Sequence, residues 1–312
     1  VAHVLKDKYG MHPLTVTWAP FIYTDIGRAN MGRFVHSGFD NITATPDGIT
    51  HRKLARLAFD FLGDPFQPFV YGQLNFALHA AARFGTPLVF FGENGEAEYG
   101  GSTKAADRPC FDWADFETVY LKGAGVDRLV KQGIDLGVFT AHEASAISPY
   151  YRLPVMRELV ESGAQFHWMS YYLRWTPQEN YYYATEHTGF EPNPERNEGT
   201  YSKYASIDDR LDGLHYYMAY IKFGIGRCTS DAAHEVRDRH ITREEAVALV
   251  RKFDGEFPEN HFAEALSYLD MTPAHFWRAV DRYRPPHLWE SMDDGWRLRH
   301  AVWHDEHLKW AA

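Results

Sequence analysis

The chain has 312 residues, of which 45% are hydrophobic and 24% are charged, an ordinary composition for a globular protein. Its formal net charge of −10 excludes the basic excess that non-specific nucleic-acid binding requires, and it also argues against a membrane-surface protein. The two cysteines, Cys110 and Cys228, form no disulfide framework, and no apolar run approaches the length of a membrane span. We therefore expect a cytoplasmic location.

Strand and helix patterns alternate over residues 1–100. The first ten residues predict a helix that ends at Gly10, and because no capping residue precedes Val1, we expect further residues upstream of it. Strands are predicted at 14–18, 40–45 and 87–91, and helices at 24–35, 49–62 and 72–84, with Thr24 as a cap. This alternation predicts a parallel α/β sheet, in which ligands bind beyond the carboxyl ends of the strands.

Helical patterns dominate from about residue 110. They cover 112–122, 125–135, 154–162, 176–187, 207–222, 229–238, 242–252, 260–268 and 272–283, with one short strand at 164–169. We therefore predict a nucleotide-binding α/β domain over 1–105 and a mainly helical acceptor or substrate domain over 106–312. The boundary is expected near 100–112.

A glycine-rich acidic segment, GENGEAEYGG at 92–101, follows the third predicted strand directly. Glycines at such a position allow positive φ angles or close approach of a ligand to the backbone. Carboxylates there can bind Mg²⁺, orient an amine or ammonia, or hydrogen-bond a sugar hydroxyl. The position and the residue mixture favour a functional loop over a solvated acidic turn.

Two further segments have the residue types of anion sites. Lys203 lies among hydroxyl side chains near Gly199 and could hold phosphate, although spacing alone favours a solvated lysine at a helix start. Thr229 or Ser230 is predicted to cap a helix that begins near Asp231, with Arg227 beside its N-terminus. For this second segment an anion site and an ion-paired helix start are equally supported, and His234, Glu235 and Arg237 are its acid/base or charge candidates.

Metal and hydrolase motifs are weak. His234 and Asp238 have a spacing that suits zinc, but no compact Cys or His pair supports a zinc site, so we predict no metal ligands. No Gly-x-Ser-x-Gly elbow is present, and neither cysteine lies in a segment that identifies a general base.

Several of these segments together resemble one family, the N-acetyl sugar amidotransferases of surface-polysaccharide and pseudaminic-acid-type pathways. The segments are KYGMHPLTVT at 8–17, GDPFQPF at 63–69, GENGE at 92–96, ENYYY at 179–183, YSKYAS at 201–206 and RCTSDAAHE at 227–235. The family belongs to the N-type ATP pyrophosphatases, and the resemblance runs from Val1 to about Arg299. It implies a parallel sheet of the adenine nucleotide alpha-hydrolase (HUP-like) type, followed by a mainly helical region.

The resemblance also implies a reaction. ATP, with Mg²⁺, adenylates the acetamido oxygen of a nucleotide-linked sugar and releases pyrophosphate, and ammonia from a separate class I glutaminase then displaces AMP. The product carries an acetamidino group and enters LPS, O-antigen or a related glycan. The site must exclude water so that ammonia, and not water, attacks the activated carbon.

Carried onto this sequence, the resemblance implies three groups of site residues. The predicted catalytic residues are Glu93, Lys203 and Arg227, the two basic ones as phosphate contacts. The predicted cofactor-binding residues are Thr17, Trp18, Ala19, Gly92 and Asn94. The predicted substrate-binding residues are Glu96, Tyr182, Glu198, Asp231 and His234.

The sequence departs from the family pattern at two places. The pyrophosphate-binding loop Ser-Gly-Gly-x-Asp-Ser is absent, and we expect it upstream of Val1, so that 1–312 alone should show no turnover. Phe66, Gln67, Pro68 and Phe69 replace a Cys-x-x-Cys, which indicates the cysteine-free branch. Two alternatives stay open: another N-type ATP pyrophosphatase, such as a tRNA-thiolating enzyme, which the acidic charge and absent cysteines disfavour, and a non-catalytic subunit that docks a glutaminase.

Overall fold

The first part of the chain alternates short strands with longer helices, as predicted. This computed structural model describes residues 1–92, 94–98, 103, 107–110, 116, 118, 121, 123, 125–293 and 295–304. After a π-helical turn at Val4–Lys8, the elements are β1 (Thr15–Trp18), α1 (Asp25–His36), β2 (Asn41–Ala44), α2 (Gly48–Leu62), α3 (Gln67–Phe84) and β3 (Leu88–Phe91). The predicted strands and helices of this part are confirmed. Helix α3 begins five residues earlier than predicted because Pro68 lies in its first turn, where a missing N–H costs nothing.

Local capping fixes the starts of two of these helices. The Thr24 hydroxyl accepts a hydrogen bond from the Gly27 N–H at 3.0 Å, which confirms Thr24 as the cap of α1. The Asp47 carboxylate accepts from the Thr50 N–H at 2.8 Å at the start of α2. Helix α2 ends at Gly63, whose φ of 62° lies in the left-handed region that glycine adopts without strain.

The strands form two separate parallel pairs. Strand β1 pairs with β2, with Thr15 opposite Asn41. Strand β3 pairs with β4 (Gln165–Trp168), with Leu88 opposite Gln165. The second pair joins strands from both sides of the predicted domain boundary at 105/106. That boundary, and the continuous HUP-like sheet implied by the resemblance, stay predictions.

The rest of the described chain is mostly helical. Its helices are α4 (Gly95–Glu98), α5 (Val126–Asp135), α6 (Ala141–Ser145), α7 (Met156–Ser162), α8 (Met169–Tyr172), α9 (Pro177–Thr188), α10 (Asp212–Phe223), α11 (Arg227–Arg237), α12 (Arg243–Phe253), α13 (Phe262–Tyr268) and α14 (Pro273–Arg282). A 3₁₀ turn at Pro149–Tyr151 precedes α7. The predicted helix at 112–122 falls largely outside the described residues. None of the helices described is long and apolar enough to cross a membrane.

An antiparallel hairpin near the end of the described chain was not predicted. It consists of β5 (Trp289–Met292) and β6 (Gly295–Leu298). Only Trp289 and Leu298 of its eight residues are buried, and the first strand, WESM, lacks the alternation of apolar and polar residues that identifies a strand in a sequence.

Helix α2 supplies side chains to two hydrophobic cores. Leu54 and Leu57 pack into a first core around Trp18, α3 and β4. Ala55 and Phe59, on another face of the same helix, pack into a second core with α10, α13 and α14. A helix that is apolar on several faces is buried between layers, and α2 therefore connects the strand-bearing part to the helical part.

Candidate functional site

The start of helix α11 is held by a carboxylate from a neighbouring helix end. Asp254, directly after α12, accepts hydrogen bonds from the Gly226 N–H at 2.9 Å, the Thr229 N–H at 3.0 Å and the Thr229 hydroxyl at 2.5 Å. A side chain at Gly226 would place its Cβ 2.6 Å from Asp254 Oδ1, so a larger residue there would displace the Asp254 carboxylate. The prediction that Thr229 or Ser230 caps a helix starting near Asp231 is wrong: α11 begins at Arg227, after Gly226. Because Asp254 already binds these amides, a ligand phosphate has no access to them.

Arg227 and Asp231 form a mostly buried ion pair at this helix start. The distance from Arg227 Nε to Asp231 Oδ1 is 2.9 Å, and their side chains are only 10% and 14% exposed. The Thr200 hydroxyl donates to the other carboxylate oxygen of Asp231 at 2.6 Å. Arg227 Nη1 donates to the Tyr216 hydroxyl at 2.6 Å, and its guanidinium lies 4.6 Å from the Tyr216 ring centre. These contacts fix the orientation of Arg227.

Two cavities meet at this ion pair. Cavity A has a volume of about 250 Å³ and is lined by, among others, Glu198, Asp209, Asp212, Tyr216, Arg227 and Asn260. Cavity B has a volume of about 260 Å³ and is lined by, among others, Trp175, Tyr201, Tyr204, Arg227, Asp231 and His234. Tyr216 and Arg227 line both cavities and form the wall between them. The structure therefore brings together Glu198, Arg227, Asp231 and His234 of the predicted site.

Cavity A is lined by several carboxyl groups whose pKa is raised. The Asp209 carboxyl accepts from the N–H groups of Phe21 at 2.5 Å, Leu211 at 3.0 Å and Ile22 at 3.3 Å. Burial raises the pKa of Asp209 to about 7, against the opposing effect of these three donors. Burial also raises the pKa of Asp212 well above its ordinary value. Cavity A can therefore offer carboxyl groups in both protonation states near neutral pH.

Glu198 lines the same cavity and is held by backbone donors. It accepts hydrogen bonds from the N–H of Glu259 at 2.9 Å and from the N–H of Asn260 at 3.0 Å. Burial raises the pKa of its carboxyl, although these two donors act in the opposite direction.

Cavity B is lined largely by aromatic side chains, and its Arg227 and Asp231 side chains form an ion pair with each other. The Tyr204 ring stacks on Tyr181 at 4.5 Å with an interplanar angle of 5°. Burial raises the pKa of Tyr201 and of Tyr204, so both phenols stay neutral. His234 is 5% exposed, and burial, with the nearby Arg237, lowers the pKa of its imidazole. A neutral imidazole can accept or donate a hydrogen bond in this cavity.

The carboxyl end of strand β3 adjoins cavity B. A Cβ atom on Gly92 would lie 2.6 Å from the Trp175 ring, so the Gly92 backbone packs directly against this wall of the cavity. The Gly92 carbonyl accepts from the Ser170 N–H at 2.9 Å, and the Asn94 N–H donates to the Ser170 hydroxyl at 3.1 Å. Asn94 and Glu96 are 3% and 8% exposed, and Asn94 Oδ1 accepts from the Glu96 N–H at 3.1 Å. Glu93 lies outside the described residues.

The residues predicted at the end of β1 lie apart from the two cavities. Trp18 and Ala19 are 4% and 2% exposed, and the Trp18 indole packs against the Tyr151 ring at 5.3 Å in the first core. The Thr17 hydroxyl accepts from the Asn41 amide at 2.9 Å, between β1 and β2. Their predicted roles at the nucleotide stay predictions.

Two more predicted residues line neither cavity. The Lys203 side chain is exposed, and Tyr182 is 61% exposed. Their predicted contacts with phosphate and sugar stay predictions as well. Among the residues that the structure describes, no three His, Cys, Asp or Glu side chains are grouped closely enough to hold a metal ion.

Several residues of the site were not predicted from the sequence. They are Thr200, Asp209, Asp212, Trp175, Tyr216 and Asp254. The three aspartates within residues 208–212, at the start of an aromatic helix, are a signal that could have identified Asp209 and Asp212. No local pattern marks Asp254, because its partner Gly226 lies 28 residues away.

Most of the residues around both cavities fall in a segment that matches a family model. Residues 198–302 match a family model for proteins of lipopolysaccharide (LPS) biosynthesis. The model is described as the C-terminal domain of LPS biosynthesis proteins like WbpG, and it spans Glu198, Asp212, Arg227, Asp231 and His234. This match confirms the resemblance to a surface-polysaccharide biosynthesis family. A search of curated proteins returned no significant match.

Proposed function

We propose that the protein is an ATP-dependent amidotransferase of LPS biosynthesis. It converts the N-acetyl group of a nucleotide-linked sugar to an acetamidino group. The observation that supports this proposal is that the segment matching the LPS biosynthesis family contains most of the lining of the two cavities that meet at Arg227. A nucleotide sugar has two chemically different parts, and two adjoining cavities of different polarity suit such a molecule.

The proposed reaction has two steps. The acetamido oxygen attacks the α-phosphorus of ATP, and pyrophosphate leaves. Ammonia then adds to the activated carbon, AMP leaves with the former acetamido oxygen, and a proton is lost from nitrogen. Arg227 is held between the cavities by Asp231 and Tyr216, and we assign to it the contact with the ATP phosphates that the resemblance implies.

We further propose that the two strand pairs belong to one parallel nucleotide-binding sheet. Thr15 donates to the Asp40 carbonyl on the β2 side, so the Val16 N–H points away from β2. The Pro87 carbonyl accepts from Gln165, so the backbone groups of Phe90 point away from β4. Both of these strand edges line one largely apolar cavity of about 540 Å³. A further parallel strand in this cavity would hydrogen-bond to both edges and join the pairs.

ATP is proposed to bind at the strand ends, whereas ammonia is proposed to come from a separate protein. Nucleotide binding is expected at the carboxyl ends of the strands, where Gly92 adjoins cavity B. Mg²⁺ commonly binds through substrate phosphates, and we expect it to bind here together with the ATP phosphates. A class I glutaminase is the proposed donor of ammonia.

The test is a reconstitution with the complete gene product, ATP, Mg²⁺ and ammonium chloride, over a panel of UDP-linked N-acetyl sugars. We expect release of AMP and pyrophosphate, and a product in which NH replaces one oxygen, identified by mass spectrometry. The matched controls omit ammonia or use Arg227→Lys, which keeps the charge but cannot reproduce both the ion pair and the Tyr216 contact.

Other outcomes point to other functions. Binding of nucleotide sugars without consumption of ATP, together with co-purification of a glutaminase, would favour a non-catalytic docking subunit. AMP release that depends on tRNA instead of a sugar would contradict the proposed substrate class.

A further inference from the structure

The carboxyl of Asp212 is a buried polar group in the wall of cavity A. Asp212 is 8% exposed and lines the cavity, and its carboxyl accepts a hydrogen bond from the Asp209 N–H. Asp209 and Glu198, its neighbours in the cavity wall, accept three and two backbone hydrogen bonds. The two oxygens of a carboxyl can take part in about four hydrogen bonds, so a ligand group that hydrogen-bonds Asp212 offsets part of the cost of its burial.

The cationic side chains around cavity A are already paired with carboxylates. Arg196 binds both oxygens of Glu256 at 2.6 and 2.7 Å. Arg210 binds Glu264 at 2.7 Å, and Arg227 binds Asp231. Since these cations already face carboxylates, the cavity wall offers little positive charge to neutralise a diphosphate.

The size and composition of cavity A suit a sugar ring. Its volume of about 250 Å³ lies below the roughly 300 Å³ at which pockets for larger ligands begin, so it has room for one ring and not for a whole nucleotide sugar. Its wall combines carboxyl, amide and hydroxyl groups, including Asn193, Asn260 and Ser206. Sugar hydroxyls both donate and accept hydrogen bonds and match such a wall.

We propose that cavity A is the subsite for the sugar ring of the acceptor, and that Asp212 determines its specificity by hydrogen-bonding a hydroxyl or acetamido group of that ring. This assignment rests on the proposed function. Burial, followed by the neighbouring carboxyls of Asp208 and Asp209, raises the pKa of Asp212, so its carboxyl can donate as well as accept. The diphosphate and the nucleoside then lie on the far side of Arg227, towards cavity B and the end of β3.

The experiment compares calorimetric titrations of the complete protein with UDP-N-acetylglucosamine and with UDP alone. For Asp212→Ala we expect binding of UDP-N-acetylglucosamine to weaken by about tenfold or more, which is the loss of one strong hydrogen bond. Binding of UDP should change by less than about twofold, because UDP does not enter cavity A. Asp212→Asn keeps the shape and one acceptor, so its loss should be smaller. Asp135→Asn, at an exposed position of α5 that lines neither cavity, is the matched control.

The outcomes separate the assignment from the proposed function. If Asp212→Ala and Asp212→Asn both bind UDP-N-acetylglucosamine as the parent protein does, the sugar subsite is elsewhere while the function stands. An equal loss for UDP and for UDP-N-acetylglucosamine would place the nucleotide part in cavity A and overturn the assignment. If the parent protein binds neither compound nor any other sugar of the UDP-linked panel, the proposed function fails and the assignment fails with it. Thermal unfolding of each variant identifies a loss that is due to misfolding, and Asp212→Asn then serves as the deciding variant.

Discussion

The two hydrophobic cores on either side of helix α2 differ in the polar groups that lie close to them. In the first core, His51 Nδ1 and the Tyr151 hydroxyl are hydrogen-bonded at 2.7 Å, and the Asn75 amide donates to the Tyr151 carbonyl at 3.0 Å. These groups are neutral, and burial lowers the pKa of His51 to about 3. In the helical part, by contrast, the Arg227–Asp231 ion pair and the Asp209 and Asp254 carboxyl groups are largely removed from water.

This difference distinguishes buried polar groups that only support packing from buried groups that are candidates for function. Neutral hydrogen-bonded pairs can be buried at little net cost, whereas charged groups are costly to bury unless something else requires them. The charged groups surround cavities A and B, and they lie inside the segment that matches the LPS biosynthesis family. The helical part therefore holds the polar chemistry of the described molecule, while the strand-bearing part supports it. The predictions below test this division.

The largest effect is expected from breaking the ion pair at the wall between the cavities. Arg227→Ala leaves the Asp231 carboxylate mostly buried, and we expect the free energy of unfolding to fall by about 3–4 kcal/mol in urea titrations. The control is Arg157→Ala, which breaks an ion pair of 2.8 Å whose side chains are 81% and 62% exposed and should cost less than about 0.5 kcal/mol. Equal effects of the two variants would show that burial of charge does not distinguish this site.

In the first core, where the buried polar groups are neutral, we expect added side-chain volume to lower the free energy of unfolding. Gly72 lies in α3, and a Cβ atom there would approach carbon atoms of the Trp18 indole to between 2.0 and 2.4 Å. We expect Gly72→Ala to lower the free energy of unfolding by about 2–3 kcal/mol, since overpacking outweighs the gain in helix propensity. Gly32→Ala, in α1 with no atom within 4 Å of the new methyl group, should be neutral or stabilising. A stable Gly72→Ala variant would contradict the close packing of Trp18.

Residue patterns predicted the local elements of both parts, because each depends on neighbours along the chain. The strand at Thr15–Trp18 is a β-branched run, and the Thr24 cap depends on a residue three positions away. Pairing of β3 with β4 could not be predicted, since it joins segments separated by more than 70 residues.

The candidate site was only partly visible in the sequence for the same reason. Arg227, Asp231 and His234 were identified because they share one helix and one motif. Tyr216 and Thr200, which orient them, come from elsewhere in the chain and carry no pattern of their own. The start of α11 was placed too late because its cap, Asp254, is supplied by another helix end.

Removing a helix cap in each of the two parts should have a smaller effect on stability. Asp254→Ala removes the acceptor of three hydrogen bonds in the helical part and should cost about 2 kcal/mol. Asp47→Ala removes an exposed cap of α2 with one such bond and should cost about 0.5–1 kcal/mol. Both are measured by urea unfolding, and Asp254→Asn, which keeps one acceptor oxygen, should lie between the two. If Asp254→Ala costs no more than Asp47→Ala, the start of α11 does not depend on the buried carboxylate.

The last prediction concerns how the free energy of unfolding depends on pH. This dependence should have opposite signs in the two parts of the molecule. The pKa of His51 falls from 6.5 to about 3 on folding, so the unfolded chain binds this proton more tightly, and stability falls as pH drops below 6.5. The pKa of Asp209 rises from 3.8 to about 7, so the folded chain binds this proton more tightly, and stability falls as pH rises from 3.8 towards 7. Between about pH 4.5 and 6 each group contributes about 1.4 kcal/mol per pH unit, and the two contributions oppose each other.

Single variants should expose these two opposing slopes. Relative to the parent protein, Asp209→Asn should make stability rise with pH by about 1.4 kcal/mol per unit, because the contribution of His51 is no longer offset. His51→Gln should make stability fall with pH by a similar amount, because Asp209 then acts alone. Urea unfolding at several pH values between about 4.5 and 6 measures both slopes. Parallel curves for Asp209→Asn and the parent would mean that Asp209 stays ionised, with its three backbone donors outweighing burial, and the buried carboxyl groups of the helical part would then be permanent charges.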